Sequence, residues 1–209
     1  MMRQHSKIIT IVDYGMGNIG SLRNMFRRIG IQTTIASDLD AIVRAEKILL
    51  PGVGAFGAAM ERIDKLRFRE ALRYKALEEK IPFLGICLGM QLLTRSSEES
   101  PGVDGLNILP ADTFRIPSSA ELKVPHMGWN EVIEVSTSPL TKFLPDKSRF
   151  YFVHSYFVKS DNYSNVMLRC QYGQWFDAAL VLDNIYGAQF HPEKSHKFGM
   201  LFLRGFAEA

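Results

Sequence analysis

Short, uninterrupted apolar runs alternate with amphipathic stretches through the first half of the chain. Ile8–Val12 is continuous and largely β-branched, as expected of a strand buried on both faces. Ser21–Ile29 has helical character and stops at Gly30, while Thr33–Ala36 and Lys47–Leu50 read as further strands. Between Met60 and Lys80, the apolar residues Met60, Ile63, Leu66, Leu72, Ala76 and Leu77 roughly follow helical spacing. The mixed charge among them marks a solvated helix face rather than a binding surface. Phe83–Ile86 is the next buried strand, and Leu88–Thr94 the helix after it. This alternation predicts an α/β fold: a mostly parallel, twisted sheet with helices on both faces.

The character changes after Asn107. Short β-like runs (Glu131–Val135, Phe150–Val153, Val166–Cys170, Ala178–Leu182 and Ile185–Phe190) alternate with turns bearing Pro, Ser and Asn. They predict an antiparallel β extension in the second half, closed by a helix over Met200–Phe206. No repeat, low-complexity tract or linker interrupts residues 1–209, so a single domain is expected.

Composition narrows the function classes. With 209 residues, 46% of them hydrophobic, the chain can bury one substantial core. A net charge of +3, without a basic run interleaved with aromatics, gives no support for nucleic-acid binding. Two cysteines, Cys87 and Cys170, are too few for a disulfide framework and suit a reducing compartment. Met1–Lys7 is polar and lacks the apolar core of a signal peptide. The longest apolar stretch, Ile81–Leu93, is too short and too interrupted to span a bilayer. A cytoplasmic protein without membrane association is expected. Cys170 reads as a strand residue with no chemistry, and His5 and His196 present no case.

Two motifs compete for the chemistry. Phe83-Leu84-Gly85-Ile86-Cys87-Leu88-Gly89 has the form of a nucleophile elbow, in which flanking glycines permit a sharp strand-to-helix turn and expose the thiol. The unpaired N–H groups opening the helix favour thiolate. Far downstream, His191-Pro192-Glu193 offers a general base and a carboxylate to orient it. Each half has a plainer reading, as a core cysteine and as a strand ending. Zinc bound by Cys87, His191 and Glu193 lacks the paired ligand spacing of such sites. The competitor is Gly15-Met16-Gly17-Asn18-Ile19-Gly20, a G-x-G-x-x-G turn after a strand with Asp38 near the end of the next, as in an NAD-binding oxidoreductase. That reading leaves the elbow and the His-Pro-Glu triplet without a role. Its alternative is a glycine turn in which Asn18 caps a helix or presents its amide to a partner.

Taken together, the motifs resemble class-I glutamine amidotransferases. Within that class they resemble the glutaminase subunits of imidazole glycerol phosphate synthase, through DYGMGN (13–18), LPGVGAFG (50–57), GICLGMQLL (85–93), PHMGWNEV (125–132), YFVHSYFV (151–158) and QFHPEKS (189–195). The resemblance covers essentially the whole chain. It implies that Cys87 attacks the side-chain amide of L-glutamine while His191, oriented by Glu193, shuttles protons. For the oxyanion it implies the N–H of Leu88 and one from the Pro51–Gly54 loop, where the glycines beside Val53 make the Val53 peptide easy to reorient. A switchable hole is expected, completed when a partner carries its own substrate; a rigid glycine turn is the alternative. Gln91, one helical turn beyond Cys87, would help hold glutamine with backbone from Gly52 and from His154, Ser155 and Tyr156. His154 ranks below His191 as a base because it lacks the adjacent carboxylate. His126, Lys194 and Asn18 would lie near a subunit interface, with a turn histidine and a solvated lysine as plainer readings of the first two. No cofactor is implied. The acceptor site would belong to a separate (β/α)8-barrel cyclase in a heterodimer, because nothing in this chain suggests a second domain. Related glutaminases serve sugar amidation in surface-polysaccharide pathways, and Ser195–Met200 looks as much like theirs.

Overall fold

The computed structural model describes residues 8–118 and 122–209; His5 lies outside them. The first half runs β1 (Ile9–Val12), α1 (Ile19–Arg28), β2 (Thr33–Ala36), α2 (Leu39–Val43), β3 (Ile48–Leu50), α3 (Phe56–Lys65), α4 (Phe68–Leu77), β4 (Phe83–Ile86) and α5 (Leu88–Leu92). The second half runs β5 (Ala111–Arg115), β6 (His126–Glu134), β7 (Arg149–His154), β8 (Tyr156–Ser160), β9 (Val166–Tyr172), β10 (Gln174–Leu182), β11 (Ile185–Ala188) and α6 (His196–Glu208).

Among the described residues, nine strands form one sheet in the order β2-β1-β3-β4-β11-β10-β9-β6-β7, and β5 pairs with β8 separately. The first five are mutually parallel and the remainder antiparallel. The strand period of two divides the core between the two faces. Ile9, Ile11, Leu49, Leu84 and Ile86 pack with α1 and α6. Val12, Ile48, Leu50 and Phe83 pack with α2, α3 and α4.

Three helical readings depart from expectation, and strands β5 and β8 are additional to the expected ones. The stretch read as helical from Met60 to Lys80 is two helices, broken where Arg67 takes a left-handed conformation at φ 60°. Helix α2 was not anticipated; Asp38 starts it by accepting from the Ala41 N–H at 2.8 Å. The closing helix is longer than Met200–Phe206 and begins at His196.

Strand β11 positions the site. It lies parallel to β4 on one side and antiparallel to β10 on the other, with Ala188 opposite Ile86. The Cys87 N–H donates to the Ala188 carbonyl at 2.7 Å. The residues that follow each strand therefore emerge side by side.

Candidate active site

Cys87 sits between β4 and α5 with φ 53° and ψ −111°, a backbone conformation that costs a non-glycine residue about 1–3 kcal/mol. Both flanking glycines are required by close packing. A Cβ on Gly85 would lie 2.6 Å from the Gly89 carbonyl oxygen, and one on Gly89 only 1.9 Å from that of Leu50. Helix α5 is only five residues long, so its first free N–H groups, rather than a long helix dipole, act near the sulfur.

His191 follows β11 and is held through its backbone. Its N–H donates to Tyr151 O at 2.9 Å, and its carbonyl accepts from Ser195 Oγ at 2.6 Å. The imidazole Nδ1 lies 2.9 Å from Glu193 Oε1, and both side chains are buried. A carboxylate only accepts, so Nδ1 carries the proton and Nε2 is the working nitrogen. Nε2 is buried without a hydrogen-bond partner of normal geometry among the described residues. Burial alone would lower the imidazole pKa. The Cys87 sulfur and the Glu193 carboxylate outweigh it and push the value up to about 10.

Cys87 and His191 line one cavity of about 460 Å³, together with Val53, Gly54, Gln91, Glu99, His154, Ser155, Tyr156 and Lys194. Gly52 packs beneath it, where a Cβ would meet Gly89 N at 2.8 Å. Leu88 is the first residue of α5. Tyr14, kept protonated by burial, donates to Pro51 O at 2.9 Å and so pins the start of the loop. Beyond that point Val53 is 43% exposed and Gly54 stands at φ +108°. Gln91 Nε2 donates to Tyr156 O at 3.0 Å.

The family model for class-I glutamine amidotransferase matches residues 10–207. The chain belongs to the class-I glutamine amidotransferases. It is 47% identical over 199 residues to imidazole glycerol phosphate synthase subunit HisH 2 of Methanococcus maripaludis, covering 95% of this chain and 98% of that protein. Over 201 residues it is 47% identical to subunit HisH of Methanothermobacter thermautotrophicus, covering 96% and 98%. It is 42% identical to subunit HisH 2 of Pseudomonas aeruginosa, covering 96% and 99%. A crystal structure of a glutamine amidotransferase matches the fold with TM-score 0.76 at 15% identity, over 97% of this chain and 100% of that one. PurLQS from Thermotoga maritima matches with TM-score 0.74 at 19% identity, over 97% and 98%. At such identities the two structures speak for the fold alone.

The glycine turn at residues 15–20 is built differently from a dinucleotide site. A Cβ on Gly20 would meet nothing within 4 Å, whereas the fingerprint's third glycine serves tight helix–strand packing. Asp38 is engaged as the cap of α2. Asn18 accepts from Ser21 N at 3.4 Å and is exposed. Among the described residues, no group of three or more His, Cys, Asp and Glu is arranged to hold a metal ion. None of their helices is long and apolar enough to cross a membrane.

One histidine is placed unexpectedly for this glutamine amidotransferase. His126 is neither in a turn nor at the surface: it lies in β6, only 2% exposed, stacked between Tyr172 and Phe152. Its neighbours Met127 and Trp129 are exposed instead. His154 Nδ1 donates to Tyr156 O at 2.8 Å, its Nε2 accepts from His126 Nδ1 at 3.0 Å, and His126 Nε2 faces Asn130 Nδ2 at 3.3 Å. That order fixes both rings as neutral tautomers. Burial lowers their pKa values to about 4 for His126 and about 3 for His154. Lys194 is exposed, with its ammonium over the Tyr151 ring at 5.5 Å. Cys170 is buried in β9, its thiol pushed up to about 12 by burial.

Sequence reasoning missed two polar residues. Glu99 lines the cavity while its Oε2 accepts from Phe56 N at 2.8 Å, completing the start of α3. Gln189, fully buried, places Nε2 3.8 Å from the Cys87 sulfur. The available signal was a polar residue closing an otherwise apolar strand.

Proposed function

We propose that the protein is the glutaminase subunit of an imidazole glycerol phosphate synthase, acting as one domain over residues 1–209 in the cytoplasm. The observation that carries the reading is the meeting of Cys87 with the His191–Glu193 pair on one cavity. The family match and the names of the relatives supply the class and the pathway.

In this reaction the Cys87 thiolate attacks the side-chain amide carbon of L-glutamine. The N–H groups of Leu88 and Val53 receive the oxyanion, the latter once the loop beyond the Tyr14-pinned Pro51 reorients. Protonated His191 gives its Nε2 proton to the departing nitrogen; the C–N bond breaks, leaving ammonia and a γ-glutamyl thioester. Neutral His191 then takes a proton from water, whose oxygen attacks the thioester. The C–S bond breaks to release glutamate and regenerate the thiolate beside the imidazolium. Glu99 and Lys194 give the cavity one group of each sign, matching the ammonium and carboxylate of a free amino acid. Gln91, Gly52 and the His154–Tyr156 segment complete the cradle. His154 is not the base, since both its nitrogens are committed and burial holds it neutral.

Ammonia released into water would be protonated and lost, so its acceptor belongs on a docked chain. By family resemblance this is a (β/α)8-barrel cyclase in a heterodimer, forming imidazole glycerol phosphate and aminoimidazole carboxamide ribotide. Lys194, Tyr151, Trp129 and His196 form a continuous ring-and-cation surface for it, with exposed Met127 and Asn18 as further candidates. The sugar-amidating alternative shares every group of the donor site. His196, in the tail that resembles those relatives, stacks on Trp129 at this same surface, so partner choice is the point to test.

The test is glutamate release by the full chain with each candidate synthase. Cys87→Ala should abolish turnover while leaving the melting temperature within a few degrees of wild type. Full turnover by the isolated chain would refute the switchable loop. Failure of a glutamine-mimicking electrophile to label Cys87 in the complex would refute the nucleophile assignment.

A further inference from the structure

We infer that Gln189 is a positioning residue of the glutaminase site: its buried amide presents an N–H to the Cys87 sulfur and a carbonyl oxygen to Gln91, tying the nucleophile to the glutamine pocket. The inference rests on the glutaminase reading above. Gln189 follows β11, is fully buried, and has its backbone N–H bonded to Ala178 O at 2.9 Å.

The polarity of the network follows from one fixed acceptor. The Tyr156 carbonyl can only accept, so the Gln91 amide must turn its nitrogen toward it, at 3.0 Å. The same nitrogen lies 3.3 Å from Gln189 Oε1, which must therefore be the oxygen of that amide. Gln189 then has its Nε2 directed at Cys87 Sγ, 3.8 Å away. An N–H aimed at sulfur binds a thiolate more strongly than a thiol, because a charged acceptor strengthens the bond. With both Gln91 N–H groups committed, that residue has its carbonyl oxygen to offer a ligand, an acceptor for an amino acid's N–H. A glutamine at position 189 thus acts on the sulfur and on the pocket without touching the substrate.

Two substitutions separate these roles from simple packing. Gln189→Met keeps length but removes both polar ends. Gln189→Glu keeps an acceptor for Gln91 and sets a negative charge against the sulfur. Alkylation of Cys87 by iodoacetamide across pH reads the sulfur alone and needs no glutaminase activity, so it stands even if the functional reading fails. Both variants should alkylate about tenfold more slowly at neutral pH. In the assembled complex, Gln189→Met should raise the KM for glutamine and lower kcat. Gln189→Glu should lower kcat while holding KM within about twofold of wild type. Should the methionine variant not fold, the glutamate variant carries the test. Wild-type alkylation profiles in both folded variants, or a KM raised equally by both, would overturn the inference.

Discussion

The neutral His126–His154 pair makes acid stability a direct test of the fold around the site. Both rings are held unprotonated, with pKa values near 4 and 3 against an ordinary 6.5. Below pH 6.5 the unfolded chain takes up two protons that the folded chain refuses. Stability from this source is therefore intact above pH 6.5 and falls with pH until the folded rings themselves titrate. Between pH 6.5 and 5 each ring should cost about 1.5 kcal/mol. His191 adds little in this window, being protonated in both states below its ordinary value. Carboxylates titrating in the same range are cancelled by comparison with His126→Phe, whose ring fits the stack between Tyr172 and Phe152 at 4.0 and 4.7 Å centroid distances. The lost hydrogen bond to His154 is common to both pH values, and removal of His126 also lifts one influence that lowers the His154 pKa, so the difference amounts to at least one ring. Urea unfolding at pH 6.5 and 5 should show the variant losing about 1.5 kcal/mol less than wild type across that interval. Equal losses in the two proteins would refute the assignment of His126 as a neutral buried ring.

Gly89→Ala forces a Cβ onto the Leu50 carbonyl, backbone against backbone, and should lower stability by about 3 kcal/mol or more in urea titration. Gly20→Ala meets open space in α1 and should leave stability unchanged or raise it by up to about 1 kcal/mol. Lys47 is buried at the entrance to β3 and donates to the oxygens of Phe206 and Ala207 at 2.9 Å and of Ala209 at 2.7 Å. Lys47→Met should cost about 2–4 kcal/mol and speed amide exchange in the last turn of α6, measured by thermal melting and hydrogen exchange.

What was legible in the sequence is what local chemistry decides. Phe83–Ile86 and Thr33–Ala36 were read with the boundaries observed, and the glycine spacing around Cys87 announced its turn without tertiary information. The break at Arg67 is illegible because no glycine or proline marks the left-handed residue. Strands β5 and β8 escaped notice because each is completed by a partner far along the chain. Asp38 is ambiguous in the sequence: the same carboxylate that suits a ribose also caps a helix, and only the Ala41 N–H three residues on distinguishes the two. The resemblance places His126 near a subunit interface, whereas strand alternation turns its ring inward and Met127 outward. The adjacency of Cys87 and His191 depends on strand order, which no local pattern encodes.

The placement of β11 between β4 and β10 has a consequence for synthesis in the cell. A growing polypeptide exposes its thiol long before the ribosome has made the imidazole that would fire it. Until the last strand slots into the middle of the sheet, the unfinished product is chemically silent.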